Sequence, residues 1–99
     1  MIREKWAISS DYKDNYIEVI TENLGPLRAK AGITQEELAS LIGVSRQTYY
    51  AIETQRRQMS WSTFLSLVMF FDTNADTHSM LRDINAYPKE IIIKMSGRA

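Results

Sequence analysis

The stretch Thr34-Gln35-Glu36-Glu37-Leu38-Ala39-Ser40-Leu41-Ile42-Gly43-Val44-Ser45-Arg46-Gln47-Thr48-Tyr49-Tyr50-Ala51-Ile52-Glu53-Thr54-Gln55-Arg56-Arg57 decides the fold. Thr34 stands three residues before Glu37, the spacing of a capping box, in which a hydroxyl and a carboxylate each satisfy an amide orphaned at a helix start. Leu38, Ala39, Leu41 and Ile42 follow at helical spacing and supply an inward face. Gly43 is the left-handed stop. Only Val44 separates it from Ser45, the N-cap of a second helix. Two helices joined by about three residues cannot lie parallel and must cross steeply. In the second helix Tyr49 and Ile52 form the inner face, Arg46, Gln47 and Tyr50 share the opposite side, and Glu53 lies near the end.

Working outward, Gly32 ends an earlier helix. Asp11 is a candidate cap for it, and Tyr16, Ile17, Ile20, Leu24, Leu27 and Ala31 are its apolar stripe. Gly25-Pro26 interrupts the stripe, because proline removes a donor and disfavours helix at the residue before it. Either the helix kinks there or a new short one begins with Pro26 in its first turn. Downstream, Ser60 or Ser62 starts a helix through Phe71 with Phe64, Leu67, Val68 and Phe71 as core. Asp76 or Thr77 caps a short helix holding Met80, Leu81 and Ile84, which stops before Pro88. The β-branched run Glu90-Ile91-Ile92-Ile93-Lys94-Met95 reads as a strand, and Trp6 alternating with Ile8 gives a fainter strand signal. No repeat or linker divides the chain. The expected organisation is an N-terminal extension over 1–10, one domain over 11–87 and a strand-like tail over 88–99.

Ninety-nine residues with 44% apolar content suffice for one modest core. The absence of cysteine excludes disulfides, thiolate metal sites and thiol catalysis. No basic-then-apolar leader opens the chain, and the longest apolar run, Leu67 to Phe71, falls far short of the ~20 residues a membrane span needs. A cytoplasmic, nucleoid-associated location with no membrane contact is expected. Net charge is zero, but its placement is uneven. Residues 1–23 carry Arg3, Lys5 and Lys13 against Glu4, Asp11, Asp14, Glu18 and Glu22. Residues 24–63 carry Arg28, Lys30, Arg46, Arg56 and Arg57 against Glu36, Glu37 and Glu53. The local field, not the total, steers a protein to phosphate.

The ordered set Leu27, Arg28, Gly32 to Ala39, Gly43 to Thr48, Ile52 and Glu53 resembles the phage-repressor and Cro class of helix-turn-helix regulators, the XRE family, over roughly residues 20 to 75. That resemblance implies an all-α, compact bundle of about five helices, here with short strand-like ends, whose third helix enters the major groove of double-stranded DNA. At the start of that helix a guanidinium at Arg46 suits guanine O6 and N7, and Gln47 suits adenine N6 and N7. Tyr50 offers a ring to a thymine methyl or a hydroxyl to phosphate, and Ser45 and Thr48 complete the DNA-facing set. The resemblance also implies phosphate contact by Gln35 at a helix N-terminus, backbone contacts by Arg56 and Arg57, and a structural ion pair between Arg28 and Glu53. Two positions depart from the family pattern. Gln55 replaces a usual glycine and Met59 a usual proline, which opens the Thr54–Met59 loop to another path and bears on Arg56 more than on Arg46.

Beyond its core positions, the Trp61–Phe71 helix carries Trp61, Leu65, Met69 and Phe70. A helix apolar on nearly all sides is buried on nearly all sides, which points to a homodimer through these residues, with two recognition helices about one DNA turn (~34 Å) apart. Alternatively, the segments 1–10 and 90–95 fold back over this helix in a monomer, or pair with each other within a chain or across a dimer. The inventory does not suit an enzyme: His78 is the single histidine, expected in a solvated cap or turn. No paired carboxylates or glycine-rich phosphate loop accompany it, and no cofactor or metal is expected. The rival reading is a protein-binding module on the same fold, an antitoxin or a regulator subunit that docks a partner.

Overall fold

The computed structural model describes residues 1–98. Among the described residues a single 3-10 turn, Glu4–Trp6, precedes seven helices: α1 (Ser10–Glu22), α2 (Leu24–Ala31), α3 (Gln35–Ile42), α4 (Arg46–Glu53), α5 (Trp61–Thr73), α6 (His78–Asp83) and α7 (Lys89–Ser96). No strand is present among the described residues.

Ser9, rather than Asp11, caps α1, its hydroxyl accepting from the Tyr12 amide at 3.1 Å. The chain resolves the Gly25-Pro26 alternative by starting a new helix. Pro26 is the third residue of α2, in the first turn, where its missing donor costs no intrahelical bond. Asn23 closes α1 by donating from Nδ2 to Val19 O at 2.8 Å. Gly32 and Gly43 both take the left-handed conformation, with φ of 70° and 79°. Ser60, not Ser62, caps α5. Before α6, Asn74 Oδ1 accepts from the amides of Asp76 and Thr77 at 3.0 and 3.2 Å, while the buried Thr77 hydroxyl donates to Phe71 O at 2.7 Å.

The core is built from Ile17 and Ile20 of α1, Leu24 and Leu27 of α2, Leu38 and Ala39 of α3, and Tyr49 and Ile52 of α4, closed by Phe64, Leu67, Val68 and Phe71 of α5 with Leu81 of α6. Met59 joins it from the loop before α5. One expected core residue lies outside: Leu41 is 67% exposed. Leu38, Ala39 and Ile42 already fill the inward arc of this short helix, and Leu41 falls on its far side.

Both strand expectations are corrected. Residues 90–95 are helical because helix punctuation frames them: Pro88 precedes α7, Glu90 lies in its first turn, Lys94 in its last, and left-handed Gly97 follows. β-Branched preference is a matter of context, and the described residues hold no neighbouring strand to pair with. The N-terminal segment forms the 3-10 turn, with Trp6 exposed. The two ends do meet within the chain, as helix against turn. Lys94 Nζ donates to Lys5 O at 3.3 Å, and the Ile91 amide donates to the Tyr12 hydroxyl of α1 at 3.3 Å.

Candidate nucleic-acid interface

The α3–turn–α4 unit is fixed at every joint by short-range hydrogen bonds. The capping box closes as its spacing requires: the Thr34 amide donates to Glu37 Oε1 at 3.0 Å, and the Glu37 amide donates to Thr34 Oγ1 at 3.1 Å. The bond from the Thr34 backbone holds the Glu37 carboxyl below its ordinary value. After Gly43, the Val44 amide returns to Ala39 O at 3.0 Å. Ser45 Oγ accepts from the Thr48 amide at 3.0 Å and donates to Thr48 Oγ1 at 2.9 Å.

These joints set the register of α4. Tyr49 and Ile52 are buried, which turns Arg46, Gln47 and Tyr50 outward. With Ser45 and with Gln35 from the start of α3, those three side chains line one shallow, open concavity. Thr48 is not part of that lining and is engaged with Ser45, which is. Arg46 Nη1 is 3.9 Å from a Glu36 carboxylate oxygen, a pairing the sequence reading did not foresee. No spacing rule announces it, since the two residues belong to different helices.

Past α4, Gln55 takes a left-handed φ of 63°, so the loop makes the turn that a glycine would make there. Met59 is buried rather than displaced. Arg56 is thereby carried back to the exposed side of α4: its guanidinium lies 5.5 Å from the Tyr50 ring centroid and its Nε donates to Thr54 Oγ1 at 3.3 Å. Arg57 goes elsewhere. It borders a groove shared with Asp14, Glu18 and Glu22 of α1, so its surroundings are acidic.

Arg28 and Glu53 form the expected ion pair, tying α2 to the end of α4. Burial pushes the Glu53 carboxyl up, but the hydrogen bonds from Arg28, the neighbouring Tyr49 hydroxyl and the Arg28 charge outweigh it and leave the group below its ordinary value. The Tyr49 hydroxyl is buried beside this pair without a hydrogen bond of good geometry, and its pKa is raised by burial first and by Glu53 next.

Of the apolar residues singled out on α5, Trp61 stacks on Phe64 with centroids 4.7 Å apart and lies under Lys13. Leu65 and Phe70 are half-buried against the core, and Met69 is 74% exposed. His78 is exposed at the start of α6, its Nδ1 3.2 Å from Asp72. No described helix is long and apolar enough to cross a membrane.

A family model for the helix-turn-helix domain matches residues 21–79, more than half of the chain and the whole span from α2 through α5. The chain belongs to the helix-turn-helix domain family. No curated protein matches it, and no solved structure does. In this helix-turn-helix domain the matched span holds the capping box, the turn glycine, the outward face of α4 and the Arg28–Glu53 pair. The 3-10 turn, most of α1 and α7 lie outside it.

Proposed function

We propose that the protein is a small transcriptional regulator of the XRE type that binds double-stranded DNA sequence-specifically, with α4 in the major groove. One observation carries this reading: Arg46, Gln47 and Tyr50 stand exposed on one side of α4, gathered with Ser45 and Gln35 around a single open concavity, while the opposite side is anchored in the core. In that reading Arg46 donates to guanine O6 and N7, and Gln47 pairs with adenine N6 and N7. Tyr50 meets a thymine methyl or a phosphate, and Ser45 and Thr48 border the same groove. Gln35 and Arg56 hold backbone phosphates, with Arg57 as a more distant backbone contact. Operator binding by two symmetric half-sites calls for a homodimer. Exposed Met69, with Phe70, Leu65 and Trp61 beside it on α5, is the surface we assign to it. DNA as the partner implies a cytoplasmic, nucleoid-associated location.

The decisive experiment selects a duplex from a random pool and measures its binding by the parent and by Arg46→Ala combined with Gln47→Ala. The parent binds with strong salt dependence, and the double variant loses the selected duplex while keeping its helical signal. Unchanged binding by the folded double variant would reject α4 as the reading helix. Sedimentation of Met69→Glu and Phe70→Glu tests the dimer, since an unchanged assembly mass removes α5 from it.

A second reading, docking of a protein partner, is favoured by the apolar side chains of Ile33, Leu41 and Phe70 that border one groove between α3 and α5. This groove is distinct from the concavity that Arg46 and Gln47 line, but it shares Phe70 with the α5 surface assigned to the homodimer, so a partner docked there would compete with that dimer.

A further inference from the structure

Glu36 follows the cap of α3 by two positions, yet the cap does not use it. Thr34 and Glu37 close the box between themselves. The Glu36 carboxylate is left 76% exposed, 3.9 Å across the turn from the guanidinium of Arg46, itself 71% exposed. The outward-facing cation at the start of α4 therefore sits within ion-pair distance of an exposed carboxylate. The other three arginines between residues 21 and 79 differ in what surrounds them. Arg28 is locked to Glu53, Arg56 lies over Tyr50, and Arg57 shares its groove with three carboxylates of α1. Residues 24–63 carry five basic side chains against three acidic ones, so a single carboxylate beside Arg46 is a sizeable part of the local field.

We propose that, given DNA binding through α4 as argued above, Glu36 is a specificity-determining residue: its carboxylate competes with phosphate for Arg46 and weakens sequence-independent complexes more than the cognate one. In a loosely docked complex Arg46 reaches a phosphate as a single charge, and the Glu36 carboxylate it leaves then faces the polyanion unpaired. In the cognate complex the same guanidinium makes a bidentate contact to a guanine edge, with geometry a phosphate encounter does not demand. An exposed pair of this kind is weak, so it tilts the balance between complexes without blocking either.

The experiment measures salt-titrated binding of a short random-sequence duplex and of the selected duplex. The proteins are the parent, Glu36→Gln, Arg46→Ala and the double variant. Glu36→Gln leaves the Thr34–Glu37 box intact, so its thermal unfolding should match the parent's. It should bind the random duplex several-fold tighter and steepen the dependence of log K on log salt by about 0.9, the equivalent of one more phosphate contact. The selected duplex should gain less, so the specificity ratio falls, and in the Arg46→Ala background Glu36→Gln should change little. Equal gains with and without Arg46, or equal gains on both duplexes, would overturn the assignment. So would a Glu36→Gln variant indistinguishable from a parent that binds the selected duplex. A parent that binds neither duplex would instead overturn the DNA-binding reading itself.

Discussion

The guanidinium of Arg28 grips the carboxylate of Glu53 with two hydrogen bonds, Nε to Oε2 at 3.0 Å and Nη2 to Oε1 at 2.9 Å, and its remaining Nη1 donates to Ile33 O at 3.2 Å. One side chain thus joins α2, the end of α4 and the approach to the α3 cap. Arg28→Ala would leave Glu53 charged beside the buried Tyr49. The expected loss is about 2 kcal/mol, less than for a fully buried pair because these side chains keep 21% and 14% exposure. Urea unfolding measures it, and a loss no larger than that of an ordinary surface substitution would contradict the linkage.

The same pair sets an acid limit. Glu53 has its carboxyl lowered from 4.5 in the folded chain, so its stabilisation is complete above that value and is lost as pH falls through the lower folded value. Glu37, lowered by the Thr34 backbone bond, adds in the same direction. Glu53→Gln should therefore be less stable than the parent at neutral pH and approach it below pH 4.5. Parallel stability curves across that range would assign the pair no linkage.

Gln55 holds a left-handed φ of 63° that side chains with a Cβ adopt at a cost. Replacing it with glycine relieves that strain but adds freedom to the unfolded chain, for a net gain of about 0.5–1 kcal/mol. Asn85 has a φ of 62°, but asparagine tolerates this region, so Asn85→Gly should gain less. Thermal unfolding ranks the two, and a larger rise for Asn85→Gly would refute the ordering.

The legibility of this molecule follows from where its constraints are local. Capping boxes, stop glycines and apolar spacing act over three or four residues, so α3, the turn, α4 and the core face of α5 could be read directly from Thr34 to Phe71. The Arg28–Glu53 pair joins residues 25 apart in sequence and came from family resemblance, not from any local pattern. The tail misled because three consecutive isoleucines outweighed the Pro88 and Gly97 that frame a helix. Leu41 reads as inward in the sequence because apolar identity alone does not say when a short helix has filled its arc. The Glu36–Arg46 pairing and the diverging paths of Arg56 and Arg57 depend on how α3, α4 and the following loop sit together in three dimensions.

That divergence separates two neighbouring arginines. Arg56→Ala should weaken all duplexes alike and reduce the salt slope by about 1, as loss of one phosphate contact does. It also frees the Tyr50 ring, over which Arg56 lies. Arg57→Ala should change affinity less, since Arg57 borders the acidic groove of α1. Salt titrations of both variants decide the order, and a steeper loss for Arg57→Ala would place the backbone contact on the α1 side of the loop.

The two chain ends are joined to the bundle through Tyr12. The Ile91 amide is in the first turn of α7, where helix donors have no intrahelical partner, and Pro88 brings no side-chain cap. Tyr12 Oη fills that role from α1 at 3.3 Å. Tyr12→Phe removes only the acceptor and keeps the ring that lies 4.8 Å from Tyr16, so packing is preserved. The cost, about 1 kcal/mol for one lost hydrogen bond, should fall on α7 rather than on the core. Amide hydrogen exchange resolves this: residues 91–96 should exchange faster while Leu67 and Phe71 of α5 keep their protection. Equal acceleration in α5 would mean that α7 unfolds only with the whole domain, and that Tyr12 belongs to one cooperative unit with it.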